Sequence, residues 1–328
     1  MKNIKLIFIS LVFTFFCFFI LELLGRWYFH RKYNFGYQES FLYESDDILG
    51  YKISSKYQGK HGIYYRGIRK DYFDINKGNK IRIVCLGGST TFGQEQFDNS
   101  KVWPQILEHL LNSHTSEKYE VLNAGVCGYG SSNLVARLRK EILSLRPDMV
   151  IIFTGWNLVG CLKSSYSWIP ENVYFKKHPL LIKINNFLIN NSIVYLTVKN
   201  SKNNIFVNKL KRSGVDKFED IYKDLLPIFA DDLKEMILIC KQNNIVPIVI
   251  KYPTRDYNSK GYIETINIIQ NVCKENKTYL LNCSSFFESL DPESRAEYFT
   301  DTAHLTDKGN EKIAQIIYTI LIDNFFIH

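Results

Sequence analysis

Hydrophobic residues along the chain form two patterns, short continuous runs and longer stretches with helical spacing. The short runs are rich in β-branched and aliphatic residues and predict strands buried on both faces: residues 81–86, 119–123, 149–154, 245–252 and 278–282. The helical spacing predicts amphipathic helices over residues 103–111, 134–145, 218–242, 262–275 and 308–322. Strands and helices that alternate in this way indicate βαβ units, and hence a parallel sheet covered by helices on both faces.

The first hydrophobic stretch, residues 6–24, is apolar except for Ser10, Thr14 and Glu22. Its roughly 19 residues are about the length that crosses a bilayer as a helix. No small-x-small cleavage site follows, which favours an uncleaved, single-pass transmembrane anchor over residues 1–32 rather than a removed signal peptide. The basic residues before and after the stretch are nearly balanced, so the positive-inside rule assigns no orientation.

Two segments lack a regular pattern. Residues 33–79 are rich in Tyr, Gly, Lys and Asp and are predicted to be a connector that packs beside the main domain, residues 80–328. Residues 161–214 combine aromatic and aliphatic clusters with many Lys and Asn, directly after the third predicted strand. Such an insertion would overhang the strand ends. A lid or a membrane-facing cap is one interpretation, and a purely structural insertion is the other.

Composition adds little about partners. The formal net charge is +8, from 41 basic and 33 acidic residues in a chain of 328. We treat the excess as spread along the chain, which predicts a solvated surface and no nucleic-acid partner, although such a surface also favours anionic lipid headgroups. None of the seven cysteines forms a C-x-x-C pair, which argues against zinc ribbons and redox motifs. Free thiols are predicted, with one or two disulfides as the alternative.

Candidate chemistry lies at the ends of the predicted strands, where a parallel sheet gathers its loops. Four polar pieces occupy such places, at residues 87–90, 123–130, 154–157 and 301–306. The first of them, Gly87-Gly88-Ser89, permits a sharp turn and then presents a serine at the carboxyl end of the first of these strands. A serine in that place is a candidate nucleophile.

Acyl transfer needs a nucleophile, a base, a group that orients the base, and donors for the developing oxyanion. For Ser89 the candidate base is His304, and Asp301, three residues earlier, is the candidate orienting carboxylate. Gly128 and Asn157 follow the second and third of these strands and, with the Ser89 amide, are the candidate oxyanion donors. The alternatives are structural: Ser89 and Asp301 as helix caps, Gly128 and Asn157 as turn residues, and His304 as a packing residue.

These pieces resemble the blocks of the SGNH, or GDSL-like, hydrolase family from residue 81 to the C-terminus. Gly87-Gly88-Ser89 resembles its G-D-S block, Gly155-Trp156-Asn157 its G-x-N-D block, and Asp301 with His304 its D-x-x-H block, while Gly128 matches its second-block glycine. The chain departs from the family pattern at Gly88 and Leu158, where aspartates are usual. The resemblance implies a flavodoxin-like three-layer α/β/α sandwich around a five-stranded parallel sheet.

The resemblance also implies the roles: Ser89 as nucleophile, Asp301 and His304 as its catalytic partners, and Ser89, Gly128 and Asn157 as the oxyanion hole. It implies no metal and no organic cofactor. With the anchor, the chain is similar to the membrane-anchored bacterial branch of the family. We expect the catalytic domain outside the cytoplasm, and the sequence leaves the orientation of the anchor open. We therefore expect a membrane-anchored serine esterase acting on a small-molecule, glycan or lipid ester. An envelope-glycan O-acyltransferase and a non-catalytic accessory protein of envelope assembly remain as alternatives.

Overall fold

A computed structural model describes the chain in ranges separated by gaps. The described residues are 2–33, 43–46, 49–54, 64–65, 67–113, 118–157, 184, 187–188, 192, 194–195, 198 and 216–324. Their contacts divide the protein into two units. The first contains Met1–Gly59 and Ile169–Ser213, and the second contains Lys60–Trp168 and Gly214–His328.

The first unit contains one long apolar helix. Helix α1 (Lys2–Tyr33) includes a stretch, Lys5–Tyr28, that is long and apolar enough to cross a membrane and is not buried against protein. The same unit contains an antiparallel hairpin of β1 (Tyr43–Asp46) and β2 (Gly50–Ile53). The turn is stabilised because the carboxylate of Asp46 accepts a hydrogen bond from the Leu49 amide at 3.0 Å.

The second unit is built on a seven-stranded sheet. Its strands are β3 (Tyr64–Tyr65), β4 (Ile68–Arg69), β5 (Ile81–Gly87), β6 (Tyr119–Gly125), β7 (Met149–Phe153), β8 (Val246–Lys251) and β9 (Tyr279–Asn282). They lie in the order β3-β4-β6-β5-β7-β8-β9. The five strands from β6 to β9 in this order are parallel, which confirms the predicted sheet. The antiparallel pair β3 and β4 at one edge was not predicted, because two-residue strands carry no periodic signal.

Helices cover both faces of the sheet. They are α2 (Ser89–Phe92), α3 (Trp103–Asn112), α4 (Ser131–Arg137), α5 (Asp216–Gln242), α6 (Lys260–Glu275), α7 (Ser285–Glu288), α8 (Pro292–Ala296) and α9 (Asp307–Asn324). Helix α3 packs against α9, whereas α5 packs against α4 and α6, which confirms the three-layer sandwich. The helix predicted over 134–145 changes pitch, because a π-helical turn at Leu138–Ile142 and a 3-10 turn at Leu143–Leu145 follow α4.

The strand order determines where a ligand can bind. Strand β5 pairs in parallel with β6 on one side and with β7 on the other, so the chain winds in opposite directions from β5. In open α/β sheets the crevice for ligands lies at the carboxyl ends of the strands at such a reversal. Strand β5 is almost completely buried up to Gly87, and the serine turn follows it immediately.

Candidate active site

The turn after β5 places Ser89 at the crevice. Ser89 is the first residue of α2, and the N-cap position before it is occupied by Gly88, so the serine side chain does not serve as the helix cap. The amides of Phe92 and Gly93 donate to the carbonyls of Gly88 and Ser89 at 2.9 and 2.8 Å. These backbone bonds close the short helix and fix the direction in which the Ser89 hydroxyl is presented.

Three side chains form a hydrogen-bonded chain across the crevice. The Ser89 Oγ lies 2.7 Å from His304 Nε2, and His304 Nδ1 lies 2.7 Å from Asp301 Oδ2. Ser89 and His304 lie 215 positions apart in the sequence. The Asp301 side chain is 55 % exposed and that of His304 is 20 % exposed, so the chain of contacts opens to solvent. Asp301 does not cap the last helix, because α9 begins only at Asp307.

The local backbone holds Asp301 in its ionised form. Burial acts to raise the pKa of the Asp301 carboxyl, but hydrogen bonds from the His304 amide, the His304 imidazole and the Ala303 amide outweigh it and leave the pKa below its ordinary value. Both amides donate to Oδ1 at 2.7 Å, which leaves Oδ2 for the imidazole. An ionised carboxylate beside Nδ1 favours the tautomer with the proton on Nδ1, so that Nε2 can accept the serine proton.

Two of the predicted oxyanion donors, Asn157 and Gly128, lie on the loops that follow β7 and β6. The Asn157 Nδ2 donates to the Tyr129 carbonyl at 2.7 Å, which ties the loop after β7 to the loop after β6. A side-chain carbon at Gly88 would lie only 2.6 Å from Asn157 Nδ2, so the amide sits directly against the serine turn. A primary amide has two donor hydrogens, and the second remains after the bond to Tyr129.

Gly128 lies on the loop that follows β6. The Val126 amide donates to the Gly87 carbonyl at 3.0 Å, which attaches this loop to the end of β5. Gly128 adopts φ of +80°, in the left-handed region where a side chain is strained, so the turn itself requires glycine. The departure from the family pattern at Leu158 lies outside the described residues.

A buried arginine that the sequence did not single out supports the serine turn. Arg69, on strand β4 between β3 and β6, is wholly buried. Its guanidinium donates to the carbonyls of Phe92, Gly93 and Gln96 and to Asn99 Oδ1, at 2.6–2.9 Å. Carbonyls at a helix C-terminus have no partner within the helix, so Arg69 satisfies the end of α2 and fixes the helix that begins with Ser89.

Replacing Arg69 with methionine should destabilise the second unit by on the order of 3 kcal/mol or more, because several buried acceptors lose a charged donor at once. Arg69→Lys should recover only part of the loss, because a single ammonium cannot reach the same acceptors. Urea unfolding of both variants tests this. The matched control is Arg139→Met, which removes an exposed pair with Glu235 and should cost a few tenths of a kcal/mol. Equal losses for Arg69→Met and Arg139→Met would contradict the supporting role.

A second support lies behind Asp301 and His304. The Thr254 hydroxyl, wholly buried, donates to the Thr302 carbonyl at 3.1 Å, and the Arg255 amide donates to the same carbonyl at 3.0 Å. The Tyr257 hydroxyl accepts from the Thr254 amide at 3.4 Å and donates to the Ser284 carbonyl at 3.2 Å. Burial raises the pKa of Tyr257, so its phenol remains a donor. The loop after β8 therefore holds the Asp301–His304 loop in place through hydrogen bonds to the Thr302 carbonyl.

Comparison with known proteins adds an independent result. No curated protein matches the chain. Among solved structures, a lipase/acylhydrolase from Enterococcus faecalis is similar over 73 % of this chain and 94 % of its own, with 18 % identity and a TM-score of 0.47. An acetylxylan esterase from Geobacillus stearothermophilus is similar over 74 % and 94 %, with 14 % identity and a TM-score of 0.49. Residues 85–312, more than half of the chain, match the GDSL-like lipase/acylhydrolase family, and the protein therefore belongs to this family of ester-hydrolysing enzymes.

Proposed function

We propose that the protein is a membrane-anchored serine esterase in which Ser89 forms an acyl-enzyme with the substrate. The observation that carries this proposal is the pair of 2.7 Å contacts that joins Ser89 Oγ to His304 Nε2 and His304 Nδ1 to Asp301 Oδ2. A neutral serine hydroxyl is a weak nucleophile, and proteins usually activate it with a neighbouring imidazole that takes its proton.

In the first half of the reaction, Ser89 Oγ attacks the ester carbonyl carbon as its proton passes to His304 Nε2. The carbonyl oxygen becomes an oxyanion and accepts hydrogen bonds from the Ser89 amide, the Gly128 amide and Asn157 Nδ2. Asp301 stabilises the imidazolium, since it stays ionised beside Nδ1. The intermediate collapses by breaking the bond to the leaving alcohol, which takes the proton from Nε2 and departs.

In the second half, water attacks the acyl carbon of the Ser89 ester and gives one proton to His304 Nε2. The second tetrahedral intermediate collapses, Ser89 Oγ recovers the proton from Nε2, and the carboxylic acid leaves. Every proton taken by the imidazole is returned within the same half-reaction, so His304 ends each half neutral.

The exposure of the catalytic side chains and the apolar helix α1 support a substrate that is itself large or attached to the cell surface. The Asp301 and His304 side chains are 55 % and 20 % exposed, so an ester on a bulky glycan or lipid can approach them. The stretch Lys5–Tyr28, with a mean hydropathy of 2.6 in a helix that is not buried against protein, supports a retained anchor that confines the enzyme to a membrane. We propose an O-acylated envelope glycan or a lipid ester as the substrate class.

The acyl-enzyme can be trapped directly. Brief reaction with p-nitrophenyl acetate, acid quenching and peptide mass spectrometry should find one acetyl group on the peptide that contains Ser89. Absence of both the adduct and turnover would overturn the enzymatic role and favour an accessory protein. Acetyl transfer to an added sugar in preference to water would replace hydrolysis with acyl transfer.

The proposed oxyanion donor can be tested through its close contact with Gly88. Asn157→Ala should lower kcat by about 10²–10³-fold, the usual cost of one oxyanion donor. Gly88→Ala should produce a similar loss, because its new carbon would displace the Asn157 amide, which lies 2.6 Å from that position. The double variant should lose no more than either single variant, because both changes remove the same donor. Steady-state kinetics of the three variants measures this, and multiplied losses in the double variant would contradict it.

A further inference from the structure

The loop between β6 and α4 positions two of the proposed oxyanion donors. This loop, residues 126–130, is the oxyanion loop: it contains Gly128, and its Tyr129 carbonyl accepts from Asn157 Nδ2 at 2.7 Å. The start of the loop is attached to the end of β5 by a backbone hydrogen bond. Its other end runs directly into α4, which begins at Ser131. The place of both donors therefore depends on what holds the first turn of α4.

A carboxylate on the neighbouring helix α5 holds that turn. Asp232 Oδ2 accepts one hydrogen bond from the Ser131 hydroxyl and another from the Ser132 hydroxyl, each at 2.6 Å. Hydrogen bonds to an ionised acceptor are short and about twice as strong as those between neutral groups. Because Ser131 directly follows the oxyanion loop, the carboxylate ties the end of the loop to α5.

Asp232 lies where helix packing alone does not require a charge. Its side chain is partly buried where α5 packs against α4. Burial raises the pKa of the Asp232 carboxyl above its ordinary value, and the hydrogen bonds from the two serines offset this only in part. The nearby carboxylates of Glu235 and Asp231 act in the same direction as burial. A charged group in such a place costs free energy that an apolar side chain would not, which points to a purpose other than packing.

We propose that Asp232 is a positioning residue of the active site: through its two serine partners it holds the oxyanion loop, and thereby the Gly128 amide and Asn157 Nδ2, in place. The inference rests on the proposed function, because it concerns the donors of the proposed oxyanion hole. Release of the end of the loop would move Gly128 directly and would move Asn157 through its bond to the Tyr129 carbonyl. One substitution would then displace two of the three donors.

Replacing Asp232 with alanine should lower kcat for p-nitrophenyl acetate by on the order of 10²-fold, the effect that a displacement of about 1 Å has in an active site. KM should change little, because the oxyanion forms only as the substrate reacts. Asp232→Asn should recover most of kcat, since both serine hydroxyls donate to one oxygen and an amide oxygen can accept the same two bonds. Replacing Ser131 and Ser132 together with alanine should reproduce the loss without any change in α5.

The matched control is Glu235→Ala, which removes another contact of α5, the exposed ion pair with Arg139 at 2.6 Å. Arg139 lies on the π-helical turn that follows α4, beyond the first turn that Asp232 holds. This variant should keep the kcat of the natural protein. Hydrogen–deuterium exchange of a peptide covering the oxyanion loop should be faster in Asp232→Ala than in Glu235→Ala, and circular dichroism checks that both variants fold.

A double variant separates positioning from general stability. Asp232→Ala combined with Asn157→Ala should lose less than the product of the two single losses, because both changes disturb the same oxyanion hole. Multiplied losses would overturn the positioning role. An unchanged kcat in Asp232→Ala, or a loss in Asp232→Asn or Glu235→Ala as large as in Asp232→Ala, would also overturn it. These outcomes leave the proposed function standing, whereas absence of turnover in the natural protein would overturn the proposed function and this inference together.

Discussion

Replacing Ser89 with alanine should lower kcat for p-nitrophenyl acetate by about 10⁶-fold, the size of effect seen when the nucleophile of a catalytic triad is removed. The hydroxyl is the atom that forms the acyl bond, so neither the imidazole nor the oxyanion donors can replace it. A residual rate above that of water is expected, because the oxyanion donors remain.

The Ser89→Ala variant should keep its fold. The Ser89 hydroxyl faces His304 and does not cap α2, so its loss removes no backbone hydrogen bond. Ser144→Ala, which removes an exposed hydroxyl bonded to the Glu141 carbonyl, is the matched control and should leave kcat unchanged. Circular dichroism and thermal unfolding of both variants check the fold. Turnover by Ser89→Ala within tenfold of the natural protein would refute the assignment of the nucleophile.

Replacing Asp301 with asparagine should lower kcat by about 10⁴-fold with little change in KM. The asparagine oxygen can still accept from the Ala303 and His304 amides, but its NH₂ group would then face His304 Nδ1. The imidazole would shift its proton to Nε2 and could no longer accept the Ser89 proton. Asp323→Asn, an exposed position in the last turn of α9, is the control and should retain full activity.

The free energy of unfolding that Asp301→Asn loses should depend on pH in a defined direction. The pKa of Asp301 is lowered in the folded protein, so the carboxylate keeps its charge at neutral and mildly acidic pH. Its contribution to stability is present above the unfolded pKa of an aspartate and is lost as the pH falls through the lower folded value. Unfolding measured from pH 7 downward should therefore show the natural protein approaching Asp301→Asn only in strong acid. A difference in unfolding free energy between the two proteins that is the same at every pH would contradict the lowered pKa of Asp301.

Local patterns were sufficient to predict the parallel sheet. The run at 81–86 became β5, and the alternation of strands and helices implied the layers that α3, α5 and α9 form around it. The helix predicted over 218–242 differs from α5 by two residues at its start. These elements follow from periodicity within a short window, which a single sequence displays.

The features that the sequence left open depend on distant contacts. Strands β3 and β4 are two residues long and are recognisable only because β3 pairs with β4 and β4 pairs with β6. Arg69 carries no local signal, because its acceptors lie 23 to 30 positions further along the chain. Nothing in the sequence near residue 22 indicated that Glu22 would bind Ser192, 170 positions away.

Candidate residues at the site were named from their order along the chain and from a family resemblance. Their distances could not be predicted, because a hydrogen bond between Ser89 and His304 requires the whole sheet to bring two ends of the unit together. The contact between Asn157 and Gly88 was also unexpected. A side-chain carbon at position 88 would lie 2.6 Å from Asn157 Nδ2, so the amide would have to shift to make room for it.

The proton transfer from Ser89 to His304 is the central claim, and labelling by a fluorophosphonate probe tests it most directly. The probe reacts with a serine only when a neighbouring base activates the hydroxyl. In the natural protein, peptide mapping should place the label on Ser89, and His304→Ala should slow labelling by several orders of magnitude while the fold is retained. Label on another serine, or equal labelling rates with and without the imidazole, would contradict the claim.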